Sequence, residues 1–259
     1  MYKDEKILAI VQARMESSRL PGKALMELSG KPVLEWIIDR LSESIYTDKI
    51  AIAIPDSEES KHIVNMWRDR NWKEKCFIVK GSMDDVIGRV ISTANKIKID
   101  RNTPPDILVD ITADCPLVDP RHVDLCIKRL VDNELDYYSN VVKRTWPDGC
   151  DIQVYKFETL IDVYNKIENE VHKQHVGWNI IQHPEDYKIG NWEAPPLYAY
   201  PEMGITLDTK EDFKLLEYIF DTFKEYGCFY IEDVIRHVAI NDCLKKINEN
   251  VIRKTPGEG

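Results

Sequence analysis

Several features that mark common protein classes are missing from the 259-residue sequence. No apolar run approaches the roughly 18 residues that a membrane helix needs, and the apolar stretch at residues 7–11 is too short for the core of a signal peptide. The six cysteines are dispersed without a C-x-x-C pair, which is typical of reduced thiols rather than of disulfides or a zinc site. We therefore expect a cytoplasmic protein with no membrane partner.

Basic residues are too few to balance the acidic ones. Lys and Arg total 35 against 45 Asp and Glu, so the formal net charge is −10. This balance excludes general binding to nucleic acid or to an anionic membrane surface. It does not exclude a small anionic ligand, because a local basic cluster can oppose the global sign. We expect one domain over residues 1–259, with a flexible tail at 255–259.

Short β-rich runs alternate with helical patterns through the first half of the chain. We predict strands at 6–12, 49–55, 76–79 and 106–112, and helices at 31–44, from 56 or 57 to about 70, from a Ser82–Asp85 capping box to about 98, and from Pro120 onward. Short connections of this kind predict an α/β fold with a mostly parallel sheet and helices on both faces. Ligands of such folds bind beyond the carboxyl ends of the strands, so loops 13–23 and 113–119 should face one crevice.

The pattern changes at about residue 136. Two strands flank a turn at 145–149, helical patterns follow at 157–167 and 172–183, and 191–204 is irregular and rich in proline and aromatic residues. Residues 204–208 have strand character. A capping box at Thr209 and Asp212 then begins a helix that runs to about residue 226, before a final helical segment.

The loop at residues 13–23, ARMESSRLPGK, is locally basic. It carries Arg14, Arg19 and Lys23 against the single acid Glu16. Basic side chains and free backbone amides at a strand end suit a polyphosphate, although a solvated surface loop is the alternative. Neither the P-loop pattern nor the dinucleotide fingerprint G-x-G-x-x-G is present, which argues against P-loop kinases and nicotinamide dehydrogenases.

Two aspartates stand at predicted strand ends. Asp114 follows the strand at 106–112, and Asp208 ends the strand character at 204–208. Such carboxylates can converge on Mg²⁺, which prefers a few carboxylates together with substrate phosphate oxygens and water. From the residues alone, a turn-forming role for Asp114 and a helix cap at Asp208 remain open alternatives.

The segment VQARMESSRLPGKAL resembles the opening signature of the cytidylyltransferases that activate acidic sugars, such as the 3-deoxy-manno-octulosonate and N-acylneuraminate enzymes. Its wording is closest to the branch named after spore coat polysaccharide biosynthesis protein F. The similarity extends over roughly residues 5 to 225 through G-x-x-x-D-V-I-x-R, A-D-C-P-L-V-D-P, Y-S-N, P-D-G-x-D and T-L-D-T-x-E-D. One departure is Ala113, which stands where a glycine is usual.

This resemblance implies a Rossmann-like nucleotide-diphospho-sugar transferase fold. It also implies Mg²⁺-dependent transfer of CMP from CTP to a sugar or sugar-like acceptor, with release of pyrophosphate, in surface polysaccharide or glycoconjugate biosynthesis. For this sequence, the resemblance implies that Arg14, Lys23 and Asp114 are catalytic residues. It also implies that Asp114 and Asp208 are metal ligands. The implied nucleotide-binding set is Gln12, Ala13, Arg14, Ser18, Arg19, Lys23, Arg89 and Asp114.

The resemblance also implies that residues 136–205 form a small β-rich insertion for acceptor binding or dimerisation. We expect a homodimer, with the aromatic residues of 192–200 forming either a dimer arm or a pocket wall. Polar residues that could bind the acceptor are Asn140, Asp148, Asp151, Gln153 and His175. A tight turn at 148–149 and solvent-facing strand positions are the alternatives for this set.

Two other functions share the predicted fold. A glycosyltransferase that uses a nucleotide sugar commonly binds its metal through Asp-x-Asp, and no two aspartates here have that spacing. A non-catalytic assembly subunit would have no need for Arg14, Lys23, Asp114 and Asp208 together. We therefore take the cytidylyltransferase as the working hypothesis.

Overall fold

The computed structural model describes residues 1–70, 72, 76–100, 103–226 and 229–253. The predicted tail at 255–259 and Cys228 lie outside these residues. Strands in the described part are β1 (Ile7–Gln12), β2 (Glu27–Leu28), β3 (Lys31–Pro32), β4 (Lys49–Pro55), β5 (Phe77–Gly81), β6 (Ile107–Thr112), β7 (Tyr137–Ser139), β8 (Gln153–Lys156) and β9 (Ile189–Asn191). β2 and β3 pair as a small separate hairpin.

The other strands form one sheet in the order β5-β4-β1-β6-β8-β7-β9. β5, β4, β1 and β6 are parallel neighbours, which confirms the predicted mostly parallel α/β sheet. β8 runs antiparallel to both β6 and β7, and β7 is parallel to β9. The carboxyl ends of β1, β6 and β7 therefore share one edge of the sheet with the beginning of β8. The predicted β-rich region thus continues the central sheet.

Helices cover both faces of this sheet. They are α1 (Val33–Leu41), α2 (Lys61–Asp69), α3 (Val86–Lys96), α4 (Pro120–Asp132), α5 (Phe157–Lys166), α6 (Val176–Ile181), α7 (Lys210–Phe223), α8 (Ile231–Ala239) and α9 (Asp242–Lys245). Side chains of β1 alternate between two buried clusters, one on each face of the sheet. Ile7 packs in the cluster with side chains of α1, α4, α7 and α8, and Leu8 packs in the cluster with side chains of α3, α5 and α6. No helix in the described ranges is both long and apolar enough to cross a bilayer.

Two predicted helix starts were wrong. α2 begins at Lys61 with Ser60 at its N-cap, because Ser57 is engaged by Glu16 and by the amide of Ser60. α3 begins at Val86, where the Asp85 carboxylate accepts from the Gly88 amide at 2.7 Å. The Ser82 hydroxyl, which was predicted to cap this helix, instead accepts a hydrogen bond from the Asp85 amide in the turn before the helix.

Other boundaries shifted in the second half of the chain. Residues 204–208 do not form a strand, since their ladder is a single bridge between Gly204 and Asp148. The predicted helix at 172–183 divides into a 3₁₀ turn, Glu170–Gln174, and the short α6. The capping box at Thr209 and Asp212 was predicted correctly, and both of its hydrogen bonds are present at the start of α7.

Candidate active site

The basic loop at residues 13–23 leaves the carboxyl end of β1 and closes on itself. The Gly22 amide donates to the Met15 carbonyl at 2.9 Å, and Gly22 adopts a left-handed φ of 76° that glycine accepts without strain. The backbone N–H groups of residues 16–20 find no acceptor among the described residues. A closed loop with free amides and basic side chains is a cradle for an anion.

Lys23 turns inward from this loop and joins two distant carboxylates. Its Nζ lies 2.8 Å from Asp114 Oδ2 and 2.9 Å from Asp208 Oδ1, and the residue is only 9% exposed. Burial alone would lower the pKa of Lys23, but the charges of the two aspartates outweigh it and the pKa is raised. The structure thus brings together three residues that the resemblance grouped and that lie far apart in sequence.

Asp114 is fixed at the end of β6 from two sides. Thr112 Oγ1 donates to Asp114 Oδ1, and the Asp114 carbonyl accepts from the Leu207 amide at 2.8 Å. Burial would raise the pKa of Asp114, but the charge and hydrogen bond of Lys23 outweigh it and the pKa is lowered. Asp114 therefore stays ionised, and the segment before Asp208 is held directly against it.

Asp208 precedes α7 and is held by Arg19 and Asp212, which the sequence singled out, and through Asp212 by Asn248 and Arg253, which it did not. Arg19 Nη2 lies 3.0 Å from Asp208 Oδ2. The Asp208 amide donates at 3.1 Å to Asp212, which is fully buried. Asp212 in turn accepts from Arg253 Nη2 at 2.7 Å and from Asn248 Nδ2 at 2.7 Å. The C-terminal segment therefore fixes the loop that carries Asp208.

The oxygens around Lys23 suit a hard divalent cation. Asp114 and Asp208 already share one positive group, and Mg²⁺ prefers a few carboxylate oxygens together with phosphate oxygens and water. These residues therefore fit the metal that the resemblance implies.

A second acidic cluster does not need a metal. Ligand atoms of Asp119, His122 and Glu232 lie within 4.8 Å of one another. The Arg121 guanidinium, however, bonds to Asp119 Oδ2 at 2.7 Å and also to Glu232. Asp119 further accepts from the Ile231 amide at 3.2 Å. These contacts make the cluster an ion-pair network that joins α4 to α8.

The remaining nucleotide-binding candidates differ in access. Arg14 and Ser18 are exposed, and within the described ranges no hydrogen bond or ion pair holds the Arg14 side chain. Arg89 is only 4% exposed and donates to the carbonyls of Ser82 and Met83 below the loop that follows β5. Burial lowers the pKa of Arg89, and the nearby charge of Arg14 adds to this effect.

The residues at the end of β1 fix the floor of the crevice. Ala13 is buried, and its amide donates to the Ala53 carbonyl at 3.2 Å. Ala113 has its side chain in an apolar core cluster, so its extra methyl group packs into the core. Gln12 is half-buried, and its Nε2 donates to Asp110 Oδ1 at 2.6 Å and to Oδ2 at 2.8 Å. Sequence reasoning missed Asp110, although a lone acid in a buried strand was visible.

The acceptor candidates lie near the same edge, but several are already engaged. Asn140 is 1% exposed, and its amide bonds to the backbone of Cys150 and Ile152. Asp151 receives two hydrogen bonds from Arg144, at 2.8 and 2.7 Å. These contacts stabilise the segment that leads into β8.

The other acceptor candidates retain polar groups near the crevice. Burial and the charge of Asp151 raise the pKa of Asp148 to about 6. Gln153 Oε1 accepts from the Tyr137 hydroxyl at 2.8 Å. His175 is half-buried at the start of α6, and burial, aided by His172, lowers its pKa.

The aromatic residues of the irregular stretch pack inward. The rings of Trp192 and Tyr198 lie 4.7 and 6.3 Å from that of the buried Trp146. Tyr200 is half-buried against the same core cluster, whereas Leu197 is 59% exposed.

Comparison with known proteins gives one relative that matches most of the chain and another that matches about half of it. A cytidylyltransferase family model matches residues 8–248. The spore coat polysaccharide biosynthesis protein SpsF of Bacillus subtilis is 29% identical over 220 residues, covering 83% of this chain and 86% of that protein. The 3-deoxy-manno-octulosonate cytidylyltransferase of Geobacter metallireducens is 28% identical over 126 residues, covering 49% of this chain and 45% of that protein.

Solved structures agree with the fold. A cytidylyltransferase from Leptospira borgpetersenii superposes with a TM-score of 0.83 at 24% identity, covering 97% of this chain and 100% of that chain. CMP:2-keto-3-deoxy-manno-octonic acid synthetase complexed with CTP gives 0.61 at 16% identity, covering 84% and 99%. At these identities the likeness shows the fold, whereas the family model spans most of the chain. The chain therefore belongs to the cytidylyltransferase family of nucleotidyltransferases.

Proposed function

We propose that this protein transfers CMP from CTP to a sugar or sugar-like acceptor with Mg²⁺ and releases pyrophosphate, in surface polysaccharide or glycoconjugate biosynthesis. The observation that carries the proposal is the contact of Lys23 Nζ with both Asp114 and Asp208, beside the basic loop at 13–23. Basic side chains and carboxylates thus meet at the carboxyl edge of the sheet, where ligands of α/β folds bind, and this supports roles in phosphate and metal binding.

The basic loop would hold the triphosphate. Arg14 and Ser18 are exposed and can reach phosphate oxygens, while the free amides of residues 16–20 add donors that need no reorganisation. In this proposal Arg19 and Lys23 would turn from Asp208 toward the phosphates. Arg89 would act indirectly, because it supports the loop after β5 from below.

In the proposed reaction, an acceptor oxygen attacks the α-phosphorus of CTP in line. A new P–O bond forms, the bond to the bridging oxygen breaks, and pyrophosphate carries away the electron pair. Asp114 and Asp208 would hold Mg²⁺, which neutralises charge on the phosphoryl oxygens when it is bound. Arg14 and Lys23 would stabilise the charge that develops on the leaving pyrophosphate.

The acceptor would lie where β7 ends and β8 begins. Asp148, Gln153 and His175 offer polar groups to sugar hydroxyls, while Asn140 and Asp151 would hold the backbone of this segment in place. We also propose that the protein is a cytoplasmic homodimer.

The test compares wild type with Asp114→Asn and Asp208→Asn. Each protein is incubated with Mg²⁺, each of the four NTPs and a panel of acidic sugars and phosphorylated polyols, and pyrophosphate is measured. We expect release with CTP in wild type and a loss of at least about 100-fold in either variant, because each removes a charge from the proposed metal site. Asp56→Asn is the matched control, since Asp56 also follows a parallel strand but is 73% exposed and pairs with Lys80. Full activity in Asp114→Asn would refute the assignment.

A further inference from the structure

The Gln12 side chain has a fixed orientation at the floor of the crevice. It ends β1 and lies on the same sheet face as Asp110 of the neighbouring β6, where Gln12 pairs in register with Thr112. Its Nε2 donates to both carboxylate oxygens of Asp110, at 2.6 and 2.8 Å. A carboxylate only accepts hydrogen bonds, so the NH₂ end of the amide must face Asp110.

The other end of the same amide is left as an acceptor. No described residue donates a hydrogen bond to Gln12 Oε1, and the side chain is half-buried, next to the start of the basic loop. Asp110 is 2% exposed within the central strand β6, and its two short bonds to Gln12 hold the carboxylate in place. It also accepts a longer bond, at 3.3 Å, from the Tyr155 hydroxyl. The amide therefore keeps one oriented carbonyl oxygen at the carboxyl end of β1, where the basic loop begins.

A pyrimidine base would meet this oxygen with its distinguishing edge. Cytosine carries an amine at C4, which donates, whereas uracil carries a carbonyl oxygen at the same position. An oriented acceptor accepts a hydrogen bond from the cytosine amine and repels the uracil carbonyl oxygen. Binding of uracil would also leave a buried polar group unpaired, which is strongly unfavourable.

We propose that Gln12, oriented by Asp110, selects cytosine over uracil by accepting a hydrogen bond from the C4 amine. In this scheme Gln12 is the specificity-determining contact and Asp110 is a positioning residue. The inference rests on the proposed use of CTP in this crevice.

The test measures binding of CTP and of UTP by calorimetry with Mg²⁺, and pyrophosphate release with each. Wild type should prefer CTP at least about tenfold. Asp110→Asn keeps the shape of the side chain but offers both a donor and an acceptor, so the Gln12 amide can turn either its NH₂ or its oxygen toward residue 110. The preference for CTP over UTP should then fall by about tenfold. Tyr155→Phe is the matched control. It removes the other contact of Asp110, leaves both bonds to Gln12, and should keep the preference.

Gln12→Ala is the second variant, in case Asp110→Asn does not fold. It should weaken CTP binding and leave UTP binding unchanged or stronger. An unchanged preference in a folded Asp110→Asn or Gln12→Ala variant would overturn the inference, even if CTP still yields pyrophosphate, and so would equal binding of CTP and UTP by wild type. A preference that depends on Asp110 in a protein that releases no pyrophosphate would support the inference while refuting the proposed function.

Discussion

Replacing Arg253 with alanine should destabilise the fold through Asp212. Arg253 donates to both oxygens of this carboxylate, at 3.1 and 2.7 Å, and Asp212 is fully buried. Removing one partner of a buried ion pair usually costs roughly 3–5 kcal/mol, because the other charge stays buried. Four hydrogen bonds to the Asp212 carboxylate remain, one each from Asp208 and Asn248 and two from Thr209, and the Arg253 side chain is 22% exposed. We therefore expect a loss of about 2–3 kcal/mol.

The assay is urea and thermal unfolding near pH 7.5. For a chain of this length, that loss should lower Tm by roughly 5–10 °C. Burial would raise the pKa of Asp212, but hydrogen bonds from Arg253 and Asn248 outweigh it and the pKa is lowered. A lowered pKa stabilises the fold above the ordinary value of 3.8, and the contribution is lost as pH falls below it. The difference between Arg253→Ala and wild type should therefore shrink in acid.

Two controls separate this effect from loss of any arginine. Arg236→Ala removes a side chain that is 53% exposed and pairs with an exposed aspartate, so it should change Tm little. Arg253→Lys keeps a charge but loses the bidentate geometry, and should fall between wild type and Arg253→Ala. A Tm for Arg253→Ala within about 1 °C of wild type would refute the reasoning.

Four further predictions follow from single contacts. Gly204→Ala would place its Cβ 1.8 Å from Arg253 Nη2 and displace that side chain. Measured by urea unfolding, it should lower the free energy of unfolding about as much as Arg253→Ala does, and the double variant should be little less stable than either single variant. Gly149→Ala combines a φ of 107° with a Cβ 2.5 Å from backbone and should lower the free energy of unfolding by more than about 2 kcal/mol; a near-neutral value would contradict it. Asp148 has a pKa raised to about 6, so its contribution to stability falls as pH rises from about 4 to 6. The free energy of unfolding of Asp148→Asn should therefore exceed that of wild type by about 1–2 kcal/mol near pH 8 and match it near pH 4. Lys23→Met removes the cation that Asp114 and Asp208 share and leaves only Arg19 beside Asp208. Millimolar Mg²⁺ should therefore raise its Tm more than that of wild type in scanning fluorimetry; equal shifts would argue against the metal site.

Apolar runs predicted the central strands well. The predicted bounds of β1, β4 and β6 agree with the structure to within one residue, because a buried parallel strand is a nearly continuous apolar run. Helix starts were less predictable, since several neighbouring polar groups compete for the same amides. Asp85 shows this, because its own carboxylate caps α3 and the serine three residues earlier does not.

The candidate site was only partly visible in the sequence. Strand order predicted that loops 13–23 and 113–119 face one crevice and that Asp114 and Asp208 could converge on a metal. Periodicity carries no information on tertiary distance, so the choice of these residues over their local alternatives depended on the family resemblance. Arg253 lies beyond the residues that the family model matches, and nothing in its local sequence indicates a contact with Asp212. Asp110 did leave a signal, as the one charge within an otherwise apolar strand.

The position of Lys23 also bears on how this protein folds. Two carboxylates that face each other would normally repel, and many metal sites form only once their ion is bound. Here an ammonium and a guanidinium from the same loop already neutralise the pair. The two halves of the chain are consequently joined at this point by their own charges, and chelation should leave the protein folded. Because folding does not depend on a cation, the free energy of cation binding can contribute to the binding of substrate.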